Sequence, residues 1–337
     1  MSVLAARSSA RTTVAPTMSW YLPPTHRLLA RSLELVDAIT VKGPKGPATI
    51  RRLRDSGFDG PVMFDGCGYD DEPLPGPVEW VAEQRAAAAD RLLLPGTFVP
   101  WSKDDEFGLA AVVKDEAALA QDLGATMLLA VDARWLSRKS DLLAECLAET
   151  GVPVALVLGH RADPLSTGPA IAGLRWIARR VPHLSLLRSD HGALGAVAFG
   201  AEHASIGLST TNRHYAPAGA GARRLRDSSA RVFVRPLLDW FRASEIAGWV
   251  AAGVDLRCQL PCCGGADLAQ YLDEDQDVTW HNMCALADFA SAVLDVNAED
   301  RELSFLDECR AAVARYGHAG FKGPENPKAQ LTGWALS

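Results

Sequence analysis

The chain has 337 residues, 48% of them apolar and 22% charged, which is typical of a soluble globular protein. Its 34 basic and 41 acidic residues give a net charge of −7, which excludes a polycationic nucleic-acid coat and leaves only a local patch for a polyanion. No apolar run reaches the roughly 18–20 residues of a membrane-spanning helix, so no membrane association is expected. Seven Cys without a secretory signal favour a reducing, cytoplasmic location, in which clustered Cys more often bind metal than form disulfides.

The first segment, residues 1–17, is basic and rich in small polar residues and contains no acid. This composition is typical of a transit peptide. We prefer the simpler interpretation of a disordered extension, because chain ends are commonly poorly ordered.

From Trp20 onward, short apolar runs that end at Gly, Pro or Asp alternate with Ala-, Leu- and Arg-rich helical stretches. This alternation predicts βαβ units and a parallel sheet whose strands are buried on both faces. The predicted strands are 20–23, 38–42, 61–64, 91–94, 127–131, 154–158, 184–187 and 204–208. The predicted helices between them are 27–36, 48–56, 79–89, 116–123, 140–150, 168–180 and 193–200.

Eight such strands match a closed (β/α)8 TIM barrel of the α/β class, which places active-site residues at the carboxyl ends of its strands. A doubly wound sheet is the alternative, but no Gly-x-Gly-x-x-Gly turn follows an early strand. The rhythm stops after the eighth strand, where helices are expected near 283–294 and 299–316 and an irregular end at 318–337. The predicted organisation is an extension over 1–17, a barrel over 18–235, and a zinc-binding and helical region over 236–337 packed on the barrel.

The strongest chemical signal is the segment 258–265, Cys-Gln-Leu-Pro-Cys-Cys-Gly-Gly, which His281 follows farther along the chain. Three thiolates and one imidazole form a closed tetrahedral site for Zn²⁺, and the Pro and Gly residues suit a tight chelating turn. We therefore predict one structural zinc bound by Cys258, Cys262, Cys263 and His281. The alternative is three Cys that share a loop by chance beside a core His.

Polar residues also follow several predicted strands, where barrel geometry brings them to one mouth. They are Asp65 with its neighbours Gly66 and Gly68, Asp132, Asp190, and the stretch from Ser205 to Asn212. Each has a structural explanation as well, since Asp often caps the next helix and Gly often forms a turn. Asp65 is the strongest candidate, because the adjacent Gly residues let a ligand approach the backbone closely.

Other polar residues are weaker candidates. Cys67 is interpreted as a small buried thiol rather than a nucleophile. Asp190 and His191 have the chemistry of an acid/base pair, but adjacent strand residues point to opposite faces. His160 and Asp163 are expected in a loop.

A basic cluster follows the eighth strand. Residues 213–235 contain six Arg and one Asp, a local charge of +5. Because the cluster directly follows a barrel strand, we expect Arg223, Arg224 and Arg226 to lie beside the mouth and contact phosphate. A solvated loop is the alternative.

Several of these segments, taken in order over roughly residues 18–290, resemble the tRNA-guanine transglycosylase superfamily, including its DNA-deazaguanine branch. Trp20-Tyr-Leu-Pro-Pro-Thr25 resembles the family's Phe-Met-Pro-Val-Gly-Thr, and Asp65-Gly-Cys-Gly-Tyr69 resembles its Asp-Ser-Gly-Gly-Phe-Gln. The stretch Leu194–Asn212 is similar to the family segment that begins Leu-Gly-Ala-Val-Ala and ends Pro-Thr-Arg-Asn. The segments around Cys258, Cys263, Tyr271-Leu272 and His281-Asn-Met283 resemble its zinc elements.

The resemblance implies a (β/α)8 barrel with an inserted zinc subdomain that exchanges a guanine in nucleic acid for a deazaguanine. It also implies that Asp65 lies near the reaction centre. The departures from the family pattern are specific. Ser205 stands where the family has its nucleophilic Asp, and Leu260 stands in place of the middle zinc Cys. The family's base-binding Asp of the fourth strand and Gln of the fifth strand have no match. Gly96 or Thr97 stands near the first of these positions, and Asp132 stands in for the second.

A carboxylate nucleophile captures the anomeric carbon as the base leaves, whereas a Ser hydroxyl needs a general base. The first hypothesis is therefore an enzyme that exchanges or cleaves a purine or 7-deazapurine base in tRNA, DNA or a nucleoside, with Asp65 or Asp190 compensating for Ser205. The second is an inactive paralogue that binds nucleic acid or a partner, as a homodimer or heterodimer, since the eukaryotic family form pairs a catalytic with a non-catalytic subunit. A metal-dependent barrel hydrolase is weaker, because no His-x-His motif is present.

Overall fold

The computed structural model describes residues 18–23, 35–36, 38–103, 106–218, 229–273, 278–316, 323–324 and 326–336. The predicted extension over 1–17 and nearly all of the predicted helix 27–36 lie outside these residues. Arg223, Arg224 and Arg226 also lie outside them.

Eight parallel strands form one sheet with the order β3-β2-β1-β8-β7-β6-β5-β4. The first strand pairs with the eighth, with Ser19 opposite Ser205, as a (β/α)8 barrel requires. The predicted fold class is thereby confirmed. The strands are β1 (Met18–Leu22), β2 (Ile39–Lys42), β3 (Val62–Asp65), β4 (Thr97–Val99), β5 (Met127–Asp132), β6 (Val154–Gly159), β7 (Leu184–Ser189) and β8 (His203–Gly207).

The barrel closes between β3 and β5 through the segment 91–94, which was predicted as a full strand. Instead, it makes two isolated parallel bridges, Arg91 to Met63 and Leu93 to Thr126, and the regular strand β4 follows it. The reason lies in the helix before it, where the buried amide of Gln84 bonds the backbone of Leu93. Gln84 Nε2 donates to the Leu93 carbonyl at 2.7 Å, and the Leu93 N–H donates to Gln84 Oε1 at 3.0 Å. A side chain thus takes the place of a neighbouring strand.

Helices surround this sheet on its outer face. The third helix is longer than the predicted 116–123, and the predicted helix over 168–180 has the expected bounds. Thr167 caps that helix, since its side chain accepts the Ala170 N–H at 3.3 Å. Arg179 and Arg180 in the last turn place positive charge at the negative end of the helix dipole. The helices of this part are α1 (Gly46–Asp55), α2 (Pro77–Ala86), α3 (Glu106–Leu123), α4 (Arg134–Arg138), α5 (Ser140–Ala148), α6 (Gly168–Arg180), α7 (Ala193–Ala198) and α8 (Thr210–Arg213).

The C-terminal part packs against one side of the barrel. An antiparallel hairpin, separate from the barrel sheet, leads into further helices. Although β9 precedes the predicted boundary at residue 235, it pairs with β10 and not with a barrel strand. The elements are β9 (Arg231–Val234), β10 (Asp239–Arg242), α9 (Ala243–Ala251), α10 (Val278–Leu294), α11 (Arg301–Tyr316) and α12 (Ala329–Ala335).

Helix α12 lies in the end that was predicted to be irregular. Trp334 is buried with its ring centroid 5.0 Å from that of Phe305 and 5.8 Å from that of Phe199. Burial of this ring stabilises a helix that the Gly- and Pro-rich sequence alone does not predict. The C-terminal helices also cover α7, which explains why every residue of that small apolar helix is buried. None of the described helices is long and apolar enough to cross a membrane.

Candidate active site and metal site

A buried polar layer crosses the barrel below its mouth. Ser19 Oγ lies 2.9 Å from Ser205 Oγ, 2.8 Å from Thr40 Oγ1 and 3.0 Å from His203 Nε2. All four residues are buried. Ser205 therefore sits in a satisfied network on the amino-terminal side of Tyr21, the residue opposite Gly207 in the strand register. The hydroxyl of Ser205 is not presented at the mouth.

Asp65 lies at the carboxyl end of β3, in the layer next to the mouth. Tyr21 and Tyr69 donate their hydroxyls to Asp65 Oδ2 at 2.6 and 2.7 Å, and the Cys67 N–H donates to Asp65 Oδ1 at 2.8 Å. The carboxylate is fully buried, and each of its oxygens is bonded. The structure thus brings together a carboxylate and two phenols, from β1, from β3 and from the turn after it.

The protonation of this cluster follows from its burial. Burial, and then the Asp65 carboxylate, raise the pKa of both Tyr21 and Tyr69, so both phenols stay protonated and donate. The same two effects raise the pKa of Cys67 to about 12. A thiol with this pKa is not a thiolate at neutral pH, which agrees with the interpretation of Cys67 as a structural residue.

Arg188 supplies the positive charge of the mouth. An irregularity of β7 between Leu186 and Ser189 places Arg188 in a left-handed conformation with φ of 48°. Its side chain is buried, donates to Asp70 Oδ2 at 3.0 Å and to the Thr211 carbonyl at 3.1 Å, and lies 5.3 Å from the ring centroid of Tyr215. The bulge thus turns a cation toward the aromatic wall that Tyr215 shares with Tyr69.

The two glycines after Asp65 contact the chain itself. A Cβ on Gly66 would lie 2.3 Å from the Trp80 ring, and one on Gly68 would lie 2.7 Å from the Pro95 carbonyl oxygen. Packing therefore explains their small size, and their role in substrate binding stays a prediction. Asp132 ends β5 as expected, where both carboxylate oxygens bond the Arg134 guanidinium, at 2.9 and 2.7 Å.

Asp190 faces the C-terminal part of the chain. Its Oδ1 accepts from the Gly192 N–H at 2.9 Å and from Gln330 Nε2 at 3.0 Å. The ring of His191 lies 5.3 Å from that of Phe233, and burial lowers the pKa of His191. Both residues lie beyond the end of β7 and not on a strand as predicted, so strand alternation does not separate them. Asn212 is also buried, in the short helix α8.

The described arginines of the basic segment 213–235 have internal partners. Arg213 is buried, with its guanidinium carbon 3.7 Å from the ring centroid of Trp240. Arg231 pairs with Glu245 at 4.0 Å, and Arg235 pairs with Asp288 and Glu308 at 2.8 Å each. All three side chains thus contact groups of the C-terminal part. The predicted phosphate contacts of Arg223, Arg224 and Arg226 lie outside the described residues.

A second cluster gathers Cys258, Cys262, Cys263 and His281, whose donor atoms all lie within 4.8 Å of one another. The three Cys come from one tight turn, in which the Cys263 and Gly264 N–H groups both donate to the Leu260 carbonyl at 3.0 Å. Gly264 and Gly265 complete this turn with φ of 59° and 89°, a conformation that Gly adopts without strain. His281 reaches the turn from α10.

The spacing of these donors suits a tetrahedral ion. Bonds of about 2.3 Å to sulfur and 2.0–2.1 Å to nitrogen imply edges of about 3.8 Å between sulfurs and about 3.6 Å between sulfur and nitrogen. Cys262 and Cys263 have their sulfurs 3.6 Å apart, and His281 Nδ1 lies 3.3 Å from Cys263 Sγ and 4.0 Å from Cys262 Sγ. The donor set can therefore hold a metal ion.

The surroundings of the cluster orient its imidazole. His281 Nε2 donates to the Phe233 carbonyl at 3.0 Å, so a neutral ring leaves Nδ1 as the electron-pair donor. The Tyr271 hydroxyl lies 3.1 Å from Cys263 Sγ, where it donates to a thiolate. Such outer hydrogen bonds orient the ligands in protein metal sites.

Sequence reasoning missed the partners of Asp65. Tyr21 is an inward residue of β1, two positions after Ser19. Tyr69 follows the turn from Asp65 to Gly68, whose Asp and Gly residues alone were singled out from the sequence. Arg188 did leave a signal, because a lone Arg near the end of the apolar run Leu184–Ser189 is unusual for a buried strand. Asp70 was also missed.

No protein-family model and no curated protein matches the chain. Among solved structures, the chain is similar to the tryptophan synthase complex of Pyrococcus furiosus, with 13% identity over 57% of this chain and 86% of that one, and a TM-score of 0.36. It is also similar to type I 3-dehydroquinate dehydratase of Clostridium difficile, with 10% identity over 59% and 87%, and a TM-score of 0.37. Both are TIM barrels.

Proposed function

We propose that this chain is a transglycosylase-like protein that exchanges or cleaves a guanine- or 7-deazaguanine-type base at an N-glycosidic bond in nucleic acid or a nucleoside. The observation that carries the proposal is the Asp65 carboxylate at the carboxyl end of β3, held by Tyr21 and Tyr69 next to the barrel mouth. This is the position at which the sequence resemblance expects the acid of the reaction centre.

In this proposal Asp65 acts as the general acid or base of the exchange. Tyr21 and Tyr69 fix the orientation of its carboxylate, and Arg188 offsets negative charge that develops at the mouth. Because Asp65 has no exposed surface, substrate binding must displace Tyr69 or its neighbours. Ser205 takes no part, since its hydroxyl is bonded in the buried layer.

The second candidate is an inactive paralogue that binds nucleic acid or a partner subunit. A specific observation favours it, because the residue at the family's nucleophile position, Ser205, is fully buried and bonded to Ser19. In addition, donors of the chain itself occupy both oxygens of the buried Asp65 carboxylate.

We also propose that the Cys3His cluster holds a structural zinc ion. Three thiolates and one imidazole favour Zn²⁺ over the harder cations, and four protein ligands leave no position for water. In this role Cys258, Cys262, Cys263 and His281 link the turn to α10, and the His281 bond to the Phe233 carbonyl extends this link to β9. The site is structural, and no chemical step passes through it.

A base-exchange assay with Asp65→Asn tests the proposed function. Labelled guanine and a labelled 7-deazaguanine are offered to the protein with tRNA, DNA and nucleosides. We expect incorporation or base release by the wild type and a loss of about 10²–10⁴-fold in Asp65→Asn, the span of a positioned acid or base. Asp115→Asn, on an exposed position of α3, is the matched control and should leave turnover unchanged.

Two results contradict the enzyme proposal in different ways. Turnover in Asp65→Asn equal to that of the wild type, with both proteins folded by thermal melting, would exclude Asp65 from the reaction. No turnover by the wild type on any substrate, together with tight binding of nucleic acid, would instead support the inactive paralogue.

A further inference from the structure

We propose that the exposed face of α1, with Lys45, Arg51 and Arg52, is the surface that binds the sugar-phosphate backbone of the nucleic-acid substrate. This inference rests on the proposed function, because only a nucleic-acid substrate extends beyond the barrel mouth. It concerns a part of the molecule that the sequence did not single out. We call these three residues the α1 basic face.

The α1 basic face begins next to the candidate reaction centre. Lys42, the last residue of β2, is paired in register with Asp65 on β3. Its positive charge opposes the rise in the pKa of Cys67. The Gly43 N–H donates to the Asp65 carbonyl at 2.7 Å, which directs the chain from this point into α1. A nucleic-acid backbone that leaves the barrel mouth on this side therefore meets α1 first.

The helix presents one apolar and one basic face. Ile50 and Leu53 are buried against the sheet, whereas Lys45, Arg51 and Arg52 are exposed. The first turn contains no acid. Beside these residues lies a surface cavity of about 420 Å³, lined also by Pro44, Pro47, Ala48 and Glu83.

The cations of the α1 basic face make no ion pair within the described part of the chain. Within the described part of the chain, no carboxylate pairs with Lys45, Arg51 or Arg52, whereas Arg54 on the same helix pairs with Asp90 at 2.6 Å. Arg52 donates only to Thr49 Oγ1, at 3.1 Å. Two acids lie nearby, Asp55 at the end of the helix and Glu83 across the cavity, so the local charge remains positive.

The segment 213–235 does not provide an alternative surface in its described residues. Arg213 is buried under Trp240, and Arg231 and Arg235 are paired with acids. The α1 basic face, by contrast, presents cations without an ion pair among the described residues, and it begins three residues after Lys42, the register partner of Asp65.

The dimensions suit one strand of a nucleic acid. Seven residues separate Lys45 from Arg52, which corresponds to about 10 Å along the helix. Phosphates of one strand recur about every 3.4 Å of duplex axis, so the α1 basic face spans about three of them. Each phosphate that is neutralised releases counterions, which makes such binding steeply dependent on salt.

The triple variant Lys45→Gln, Arg51→Gln, Arg52→Gln tests this surface. Gln keeps the helix propensity and removes three charges. Binding of fluorescein-labelled tRNA and of a short labelled duplex DNA is measured by fluorescence anisotropy over a range of salt concentrations. We expect the affinity at low salt to fall about 10- to 100-fold and the slope of log affinity against log salt to decrease by about 2–3. The two probes distinguish an RNA from a DNA substrate.

The matched control removes three exposed charges elsewhere, in Lys114→Gln, Arg180→Gln, Arg315→Gln on α3, α6 and α11. An equal loss in this control, or unchanged affinity and slope in the α1 variant, would overturn the assignment and leave the base-exchange proposal intact. No binding of either probe by the wild type would overturn both the surface and the nucleic-acid substrate. The Asp65→Asn assay on nucleosides is then the remaining test of the proposed function.

Discussion

Replacing Cys263 by Ser should remove the metal ion and destabilise the C-terminal part of the chain. Cys263 Sγ lies 3.3 Å from His281 Nδ1, 3.6 Å from Cys262 Sγ and 3.1 Å from the Tyr271 hydroxyl. A Ser hydroxyl is shorter, is protonated at neutral pH and binds Zn²⁺ poorly. The variant therefore loses the contacts of this sulfur to His281 and Cys262 and the hydrogen-bond partner of Tyr271.

The size of the effect follows from linkage. A metal present at about 1,000 times its dissociation constant contributes about 4 kcal/mol to the free energy of unfolding. At about 2.1 cal/mol/K per residue, the 337 residues have an unfolding entropy of about 0.7 kcal/mol/K. Loss of the ion should thus lower Tm by about 6 °C, in Cys263→Ser and in chelator-treated wild type alike.

Elemental analysis and scanning calorimetry of the same preparations measure both consequences. Cys146→Ser, at a partly buried position on α5 remote in sequence from the cluster, is the matched control and should keep one zinc per chain. Far less than one zinc in the purified wild type would refute the site. Full zinc content and an unchanged Tm in Cys263→Ser would refute the assignment of this ligand.

Two further variants test parts of the barrel. Burial, and then the Asp190 carboxylate, raise the pKa of Asp163 to about 7, so its ionisation costs stability as the pH rises from about 4 to 7. Asp163→Asn should therefore raise the free energy of unfolding by about 1–4 kcal/mol above pH 7 and leave it unchanged near pH 4. A difference between variant and wild type that is independent of pH in urea titrations would contradict this. Gln84→Leu should lower the free energy of unfolding by about 1–3 kcal/mol, because the Leu93 N–H then lacks a partner. In the same urea titration, the control Gln121→Leu, at an exposed position of α3, should leave the free energy of unfolding unchanged.

The barrel was predictable from the sequence because its strands are buried on both faces. Runs such as Met127–Val131 and Val154–Leu158 are then continuously apolar, and Gly, Pro and Asp mark where each run ends. The Cys3His set was also predictable, because three of its members share one short turn. Local sequence thus determined the parallel strand-helix alternation, with the exception of segment 91–94, and the donors of one cluster that could hold a metal ion.

Only the tertiary structure decided what surrounds Asp65. Tyr21 lies 44 residues before Asp65 in the chain, and Arg188 lies 118 residues from its partner Asp70. Closure of the barrel brings such inward side chains together, and the bulge in β7 turns Arg188 to a face that strict alternation does not predict. The register of β1 with β8 places Ser205 below the mouth, and the amide of Gln84 replaces a strand partner. Each of these outcomes depends on contacts between segments far apart in sequence, which no local pattern encodes.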